Sequence, residues 1–156
     1  MELSIQWLRQ LKLSEVNTGG QTYSVSYDKL PSEPGIYIFG RHWGKNFEAL
    51  YVGKANKLSK RVRGQLNNHR LMLHLKNANT GKRVLLAGLV RTKQAQNMQK
   101  CLKLIERGLI RHYLSENHDI VNKAGTRIRR HKILSAGRVP RRFIPREISV
   151  ERQKGD

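Results

Sequence analysis

Three apolar runs limit what this chain can fold into: GIYIF at 35–39, ALYVG at 49–53 and VLLAGLV at 84–90. Each is too short to be a stable helix with one buried face, and turn-forming or basic residues bound each one. They read as strands over about 35–40, 49–54 and 84–90. The first two are close enough to pair as a hairpin across the polar loop RHWGKNFEA, and the third, apolar in both alternations, predicts a strand buried on both faces.

Helical periods fill the intervals. Leu58, Val62 and Leu66 fall at i, i+4 and i+8 and predict a helix over 57–69 with Asn56 as its cap. Met98, Leu102, Ile105, Leu109 and Tyr113 form the stripe of a longer helix over 94–115. Gly108 interrupts that helix at about 1 kcal/mol relative to alanine, either for close approach to the sheet beside Glu106 or as a simply tolerated residue. Near the N-terminus Leu3, Trp7, Leu8 and Leu11 have the spacing of a short amphipathic helix, and Tyr23, Val25 and Tyr27 alternate as a lead-in strand. Three strands with helices after the second and third make a small α/β or α+β sheet. The segments are 1–33, an N-terminal helix and lead-in strand; 34–125, the main domain; and 126–156, a basic extension broken by prolines.

The charge points to a polyanionic partner. Lys and Arg number 31 against 11 Asp and Glu, a net charge of +20. On 156 residues that is strong self-repulsion, which nucleic acid would relieve. The basicity is not uniform: residues 1–33 hold three Lys/Arg and four Asp/Glu, whereas 34–125 hold eighteen and four, and 126–156 hold ten and three. Cys101 is the single cysteine, so an intramolecular disulfide, a zinc cluster and a CxxC redox pair are all excluded, and a reducing compartment is expected. No apolar run approaches the length of a membrane span and no signal-peptide core precedes residue 30, so the expectation is a cytoplasmic protein without a membrane partner.

Within this frame a few residues carry chemistry. If Ile36 and Ile38 face the core, Tyr37 points the other way, and if Leu50 and Val52 do, so does Tyr51. Paired strands would then place two phenols side by side on the face away from the core, either as a cross-strand aromatic pair or as part of a site. Arg61, Gln65 and His69 form a second helical row beside the apolar one, which puts Arg61 at the rim of the sheet, while Lys60 and Arg63 project elsewhere as phosphate-touching or solvated charges. Between 34 and 125 the acidic residues are Glu48, Glu106, Glu116 and Asp119, and of these only Glu106 falls within an apolar helical stripe. A carboxylate there needs a partner, either Lys103 one turn earlier or a divalent cation. One inward carboxylate among many cations suggests one-metal hydrolysis of a phosphodiester.

GIY at 35–37, YVG at 51–53 and the following KANKLSKR resemble the GIY-YIG nuclease family, most nearly the nuclease module of bacterial nucleotide-excision-repair enzymes. The resemblance runs from Pro34 to about Thr126. It implies an α+β fold, a small three-stranded antiparallel sheet flanked by helices, here with an N-terminal helix and a basic C-terminal extension. It also implies a DNA endonuclease using Mg2+ or Mn2+. The family's two motif tyrosines match Tyr37 and Tyr51, one the general base and the other its orienting partner, with neighbouring cations making the phenol more acidic than usual. The arginine that stabilises the pentavalent phosphate matches Arg61, the repair subgroup's lysine matches Lys54, the metal ligand matches Glu106, and Asn122 matches an asparagine that holds the site loop or orients ligands, unless it is only a helix-exit turn residue. Gln65 stands where the family has His or Tyr and cannot shuttle a proton, so either that step is dispensable here or a nearby group such as His69 or His74 substitutes. Arg127, Arg129, Arg130, Arg141 and Arg142 of the extension are the expected grip on DNA phosphates. A homodimer would supply the two sites that a cut across both strands requires. Three readings follow: a stand-alone endonuclease of restriction, mobile-element or defence type, a repair or recombination nuclease recruited by a partner, and a non-catalytic nucleic-acid-binding module.

Overall fold

The three apolar runs are strands in the computed structural model, which describes residues 2–16, 22–122, 130–138 and 142–151. In chain order the elements are β1 (Ser4–Trp7), β2 (Leu11–Lys12), β3 (Ser14–Glu15), β4 (Tyr23–Ser24), β5 (Gly35–Trp43), β6 (Asn46–Ala55), α1 (Leu58–Leu66), α2 (His69–Asn77), β7 (Lys82–Arg91), α3 (Met98–Ser115), β8 (Arg130–Leu134) and β9 (Glu147–Glu151). The chain divides into two units, Met1–Lys123 and Ala124–Asp156. The second contains the antiparallel ribbon β8–β9, with Ile133 opposite Ile148.

The first unit is built on an antiparallel sheet of five strands, two more than the three expected, in which β7 lies between β5 and the N-terminal strands and β6 is an edge. The extra two come from the segment expected to be a helix. Residues 4–7 pair with 88–91, and Leu11 and Lys12 pair with Leu85 and Val84. A helical pattern of nine residues is below the length at which a helix holds by itself, and the open edge of β7 offers a row of backbone hydrogen bonds instead. Gly88 makes this pairing possible, because a Cβ there would lie 2.4 Å from Ile5 Cγ2 and 2.8 Å from the Trp7 ring.

The strands β5 and β6 also run further than their apolar cores. The expected loop 41–49 is mostly strand, closed by a turn at Gly44 with φ +55°. Cross-strand contacts explain the extension: Arg41 pairs with Glu48, and its guanidinium lies 3.9 Å from the centre of the Trp43 ring. A β-bulge interrupts the ladder after Phe39, so that Phe39 faces Tyr51, Gly40 faces Ala49, and Leu50 is the inserted residue.

Both faces of the sheet are covered, and this corrects the idea of a core face and an open face. On one side Tyr37, Phe39, Leu50, Leu85 and Ala87 pack with α1, through Leu58, Val62 and Leu66, and with α2, through Leu71, Met72 and Leu75. On the other Ile36, Ile38, Ala49, Val52 and Val90 pack against Cys101, Leu102 and Ile105 of α3. Full burial of each such side chain is worth roughly 1.5–3 kcal/mol, so the two layers together hold the sheet between them.

The helix expected over 57–69 is α1, which ends at Leu66, and a second helix that was not expected, α2, follows from His69. Lys57, not Asn56, precedes α1 and makes no side-chain cap, whereas Asn68 ends the break and caps α2 by accepting the Leu71 N–H at 3.2 Å. Helix α3 begins at Met98 because Asn97 is extended and caps it, accepting the Lys100 N–H at 3.0 Å. Gly108 makes no close approach: a Cβ there would meet nothing within 4 Å, and nothing in the structure explains the glycine. Among the described residues no helix is long and apolar enough to cross a membrane.

Candidate active site

Strand β6 organises the site, because it is the edge strand and its alternate residues reach both helical layers. Tyr51 lies opposite Phe39 and shares the α1–α2 face, while Lys54 lies opposite Ile36 and shares the α3 face. The free edge of β6 is covered by the chain leaving α3. The Ala49 N–H donates to His118 Nδ1 at 2.9 Å, the Val121 N–H donates to the Leu50 carbonyl at 2.9 Å, and Asn122 pairs with Val52 through both its amide groups. Asn122 is therefore the clip that stands in for a neighbouring strand beside Tyr51 and Gly53. His118, which sequence reasoning missed, needs an unprotonated Nδ1 for its contact, and burial lowers its pKa below the usual 6.5.

The two phenols do come together. Their ring centres are 6.0 Å apart with planes tilted by 22°. Gly53 is what lets them, since a Cβ at that position would sit 2.4 Å from the Tyr37 hydroxyl and ring. They are not on an open face, however. Tyr37 is wholly buried, and among the described residues its hydroxyl makes no hydrogen bond, although Tyr51 and Arg61 are near enough to act on it. Burial pushes this phenol far above its ordinary value of 10.0, Tyr51 adds to the rise, and Arg61 offsets only part of it. The expectation that neighbouring cations would acidify it fails for Tyr37, because desolvation outweighs them.

Tyr51 is half-buried, and its oxygen accepts a hydrogen bond from Gln65 Nε2 at 3.2 Å. Gln65 thus lies at the phenols even though it cannot carry a proton. Neither suggested substitute does so among the described contacts: His69 is exposed, and His74 Nε2 bonds the Asp119 carbonyl at 2.8 Å, tying α2 to the segment leaving α3.

Arg61 links the groups. Its charge is held more firmly than usual, chiefly by Tyr37, with smaller contributions from Tyr51 and Glu106 that act against partial desolvation. Lys54 Nζ lies 2.6 Å from Glu106 Oε2, with 37% and 21% of the side chains exposed. The partner of Glu106 is thus Lys54, 52 residues away in sequence, and not Lys103. Beside Arg61 a cleft of about 440 Å3 is lined by Asn56, Lys57, Lys60, Arg61 and Gly64. Among the described residues its walls carry three cationic groups, Lys57, Lys60 and Arg61, and no carboxylate, which suits a phosphate-bearing ligand. Arg63 stacks instead on Tyr27, 4.7 Å from the ring centre.

Among the described residues no three His, Cys, Asp or Glu side chains gather to form a metal cage. Glu106 is the carboxylate at this site, and its Oε2 carries Lys54. In the second unit Arg142 is exposed and lies 5.3 Å from the Phe143 ring centre. Arg130 opens β8, but its side chain, like Arg127, Arg129 and Arg141, lies outside the described residues.

Comparison of the chain with protein-family models, curated proteins and solved structures finds no match.

Proposed function

We propose that the chain is a divalent-metal-dependent DNA endonuclease of the GIY-YIG type, acting as a stand-alone enzyme in the cytoplasm. The observation that carries this reading is the convergence, around the edge strand β6, of two stacked phenols, the Arg61 guanidinium and the Lys54–Glu106 pair. Residues of this kind match what in-line hydrolysis of a phosphodiester requires: a base near the attacking water, cations around the phosphate and one carboxylate for a metal ion.

Tyr51 is the better base, since it is the half-buried phenol and Tyr37 is kept protonated by burial. Tyr51 releases its hydroxyl proton to solvent and its Oη then takes the proton from the attacking water, while Tyr37 holds the stacked geometry. Arg61 balances charge developing on the phosphate oxygens, and Lys54 sets the carboxylate of Glu106. When bound at Glu106, Mg2+ or Mn2+ would polarise the phosphate and neutralise the leaving 3′-oxygen. A homodimer would cut both strands, and the basic second unit would add phosphate contacts without sequence preference.

A second reading is a nucleic-acid-binding module without activity, and one observation favours it: Lys54 already satisfies an oxygen of Glu106. The two are separated by incubating wild type and the Glu106→Gln variant with supercoiled plasmid and with branched, damaged and single-stranded DNA, in Mg2+ or Mn2+. Cutting by wild type that falls at least about 100-fold in the variant supports the enzyme. Binding without cutting on every substrate overturns it.

A further inference from the structure

The break between α1 and α2 carries a chain of hydrogen bonds whose direction is set at one end. The Leu71 N–H can only donate, and Asn68 Oδ1 accepts it at 3.2 Å. Asn68 Nδ2 is therefore turned toward Gln65 and donates to its Oε1 at 3.1 Å. That leaves Gln65 Nε2 facing Tyr51, where it donates to the phenol oxygen at 3.2 Å. Each amide orientation follows from the one before, back to a backbone group that cannot reverse. Gln65 is the buried polar side chain of the described core, 6% exposed, and both ends of its amide are paired.

We infer that Asn68, through Gln65, dictates that Tyr51 accepts a hydrogen bond at this side and directs its own proton elsewhere, which makes Gln65 and Asn68 positioning residues for the phenol. With a donor fixed on its oxygen, the phenol cannot pass a proton to that group, which only donates. The role in cutting rests on the nuclease reading above. Gln65 acts on the phenol by orientation alone, and no proton passes through it.

The test uses the full chain. Asn68→Asp keeps the acceptor that caps α2 but removes the donor to Gln65, so Gln65 flips and presents Oε1 to Tyr51, reversing the bond. Gln65→Glu, of the same shape, accepts at both ends and reverses it directly. Gln65→His, with its Nδ1 accepting from Asn68, restores a donor toward Tyr51. Both reversing variants should show kcat lower by about 100-fold with KM unchanged; Asn68→Asp should keep the melting midpoint, Gln65→Glu should lower it because its carboxylate is buried, and Gln65→His should retain most of the activity. Independently of cutting, wild type should show nuclear Overhauser signals between the Gln65 Nε2 protons and the Tyr51 ring, and these should vanish in Asn68→Asp. Their disappearance together with the drop in kcat supports the relay, and kcat unchanged in the reversing variants overturns the positioning role. Absence of the signals in wild type overturns the relay whatever the activity. A wild type that shows the signals but cuts no DNA leaves the relay standing and refutes the nuclease.

Discussion

At the scale of single residues the least comfortable group is the Tyr37 hydroxyl, buried without a hydrogen bond among the described residues. An unsatisfied buried polar group costs about 1–3 kcal/mol, so Tyr37→Phe, which keeps the ring and removes only the hydroxyl, should stabilise the fold by about 1 kcal/mol in urea melts. The pH dependence has a definite sign. Burial raises the folded phenol above its ordinary 10.0, so its contribution is complete below that pH and is lost as the pH climbs through the folded value. Wild type should therefore lose more stability than Tyr37→Phe in alkaline melts above about pH 10. That these phenols are neighbours was legible from two motifs at a fixed interval, but their burial was not. Alternation tells which side a residue faces, and only the helices packed on each side decide whether that side is wet.

Among the elements, α3 and the segment after it do the most to define the site. Gly108 is exposed in mid-helix with open space around it, so Gly108→Ala should stabilise by about 0.5–1 kcal/mol in thermal or urea unfolding, with cutting unaffected. The edge cover is pH-sensitive in the opposite sense from Tyr37. His118 has a lowered pKa, so its contribution is complete above pH 6.5 and is lost as the pH falls through the folded value. Hydrogen-exchange protection of the Ala49 amide, corrected for intrinsic rates, should drop as the pH falls below 6.5 in wild type and hold in His118→Gln, which keeps an acceptor that does not titrate. The helix α2 was missed because its cap was taken for the tail of α1. The signal was present in the Asn-Asn pair ahead of Leu71, Met72 and Leu75, where a helix stops and restarts.

For the whole molecule the dominant fact is a net charge of +20, with eight of the basic residues between 127 and 146 and no acidic residue among them. Replacing Lys132, Arg138, Arg142 and Arg146 by Gln should weaken DNA binding without sequence preference. For every phosphate that these side chains no longer neutralise, the slope of log K against log salt should become shallower by about 0.9, measured by titration at several salt concentrations. Charge of this kind is additive and needs no geometry, which is why it could be read before any fold was known.

What the sequence determined by itself is therefore what is local or summed: the three main strands, helix α3, the basic character, and the order of Tyr37, Tyr51, Arg61 and Glu106 along the chain. Side-chain period and turn chemistry act over a few residues, and charge needs only counting. The tertiary structure alone decided that residues 4–7 are a strand, that Glu106 pairs with Lys54, that Asn122 clips β6, and that Gln65 reaches Tyr51. Those outcomes depend on which backbone edges and charged groups, distant in sequence, are left facing one another once the core has closed, and a local pattern carries no record of such encounters.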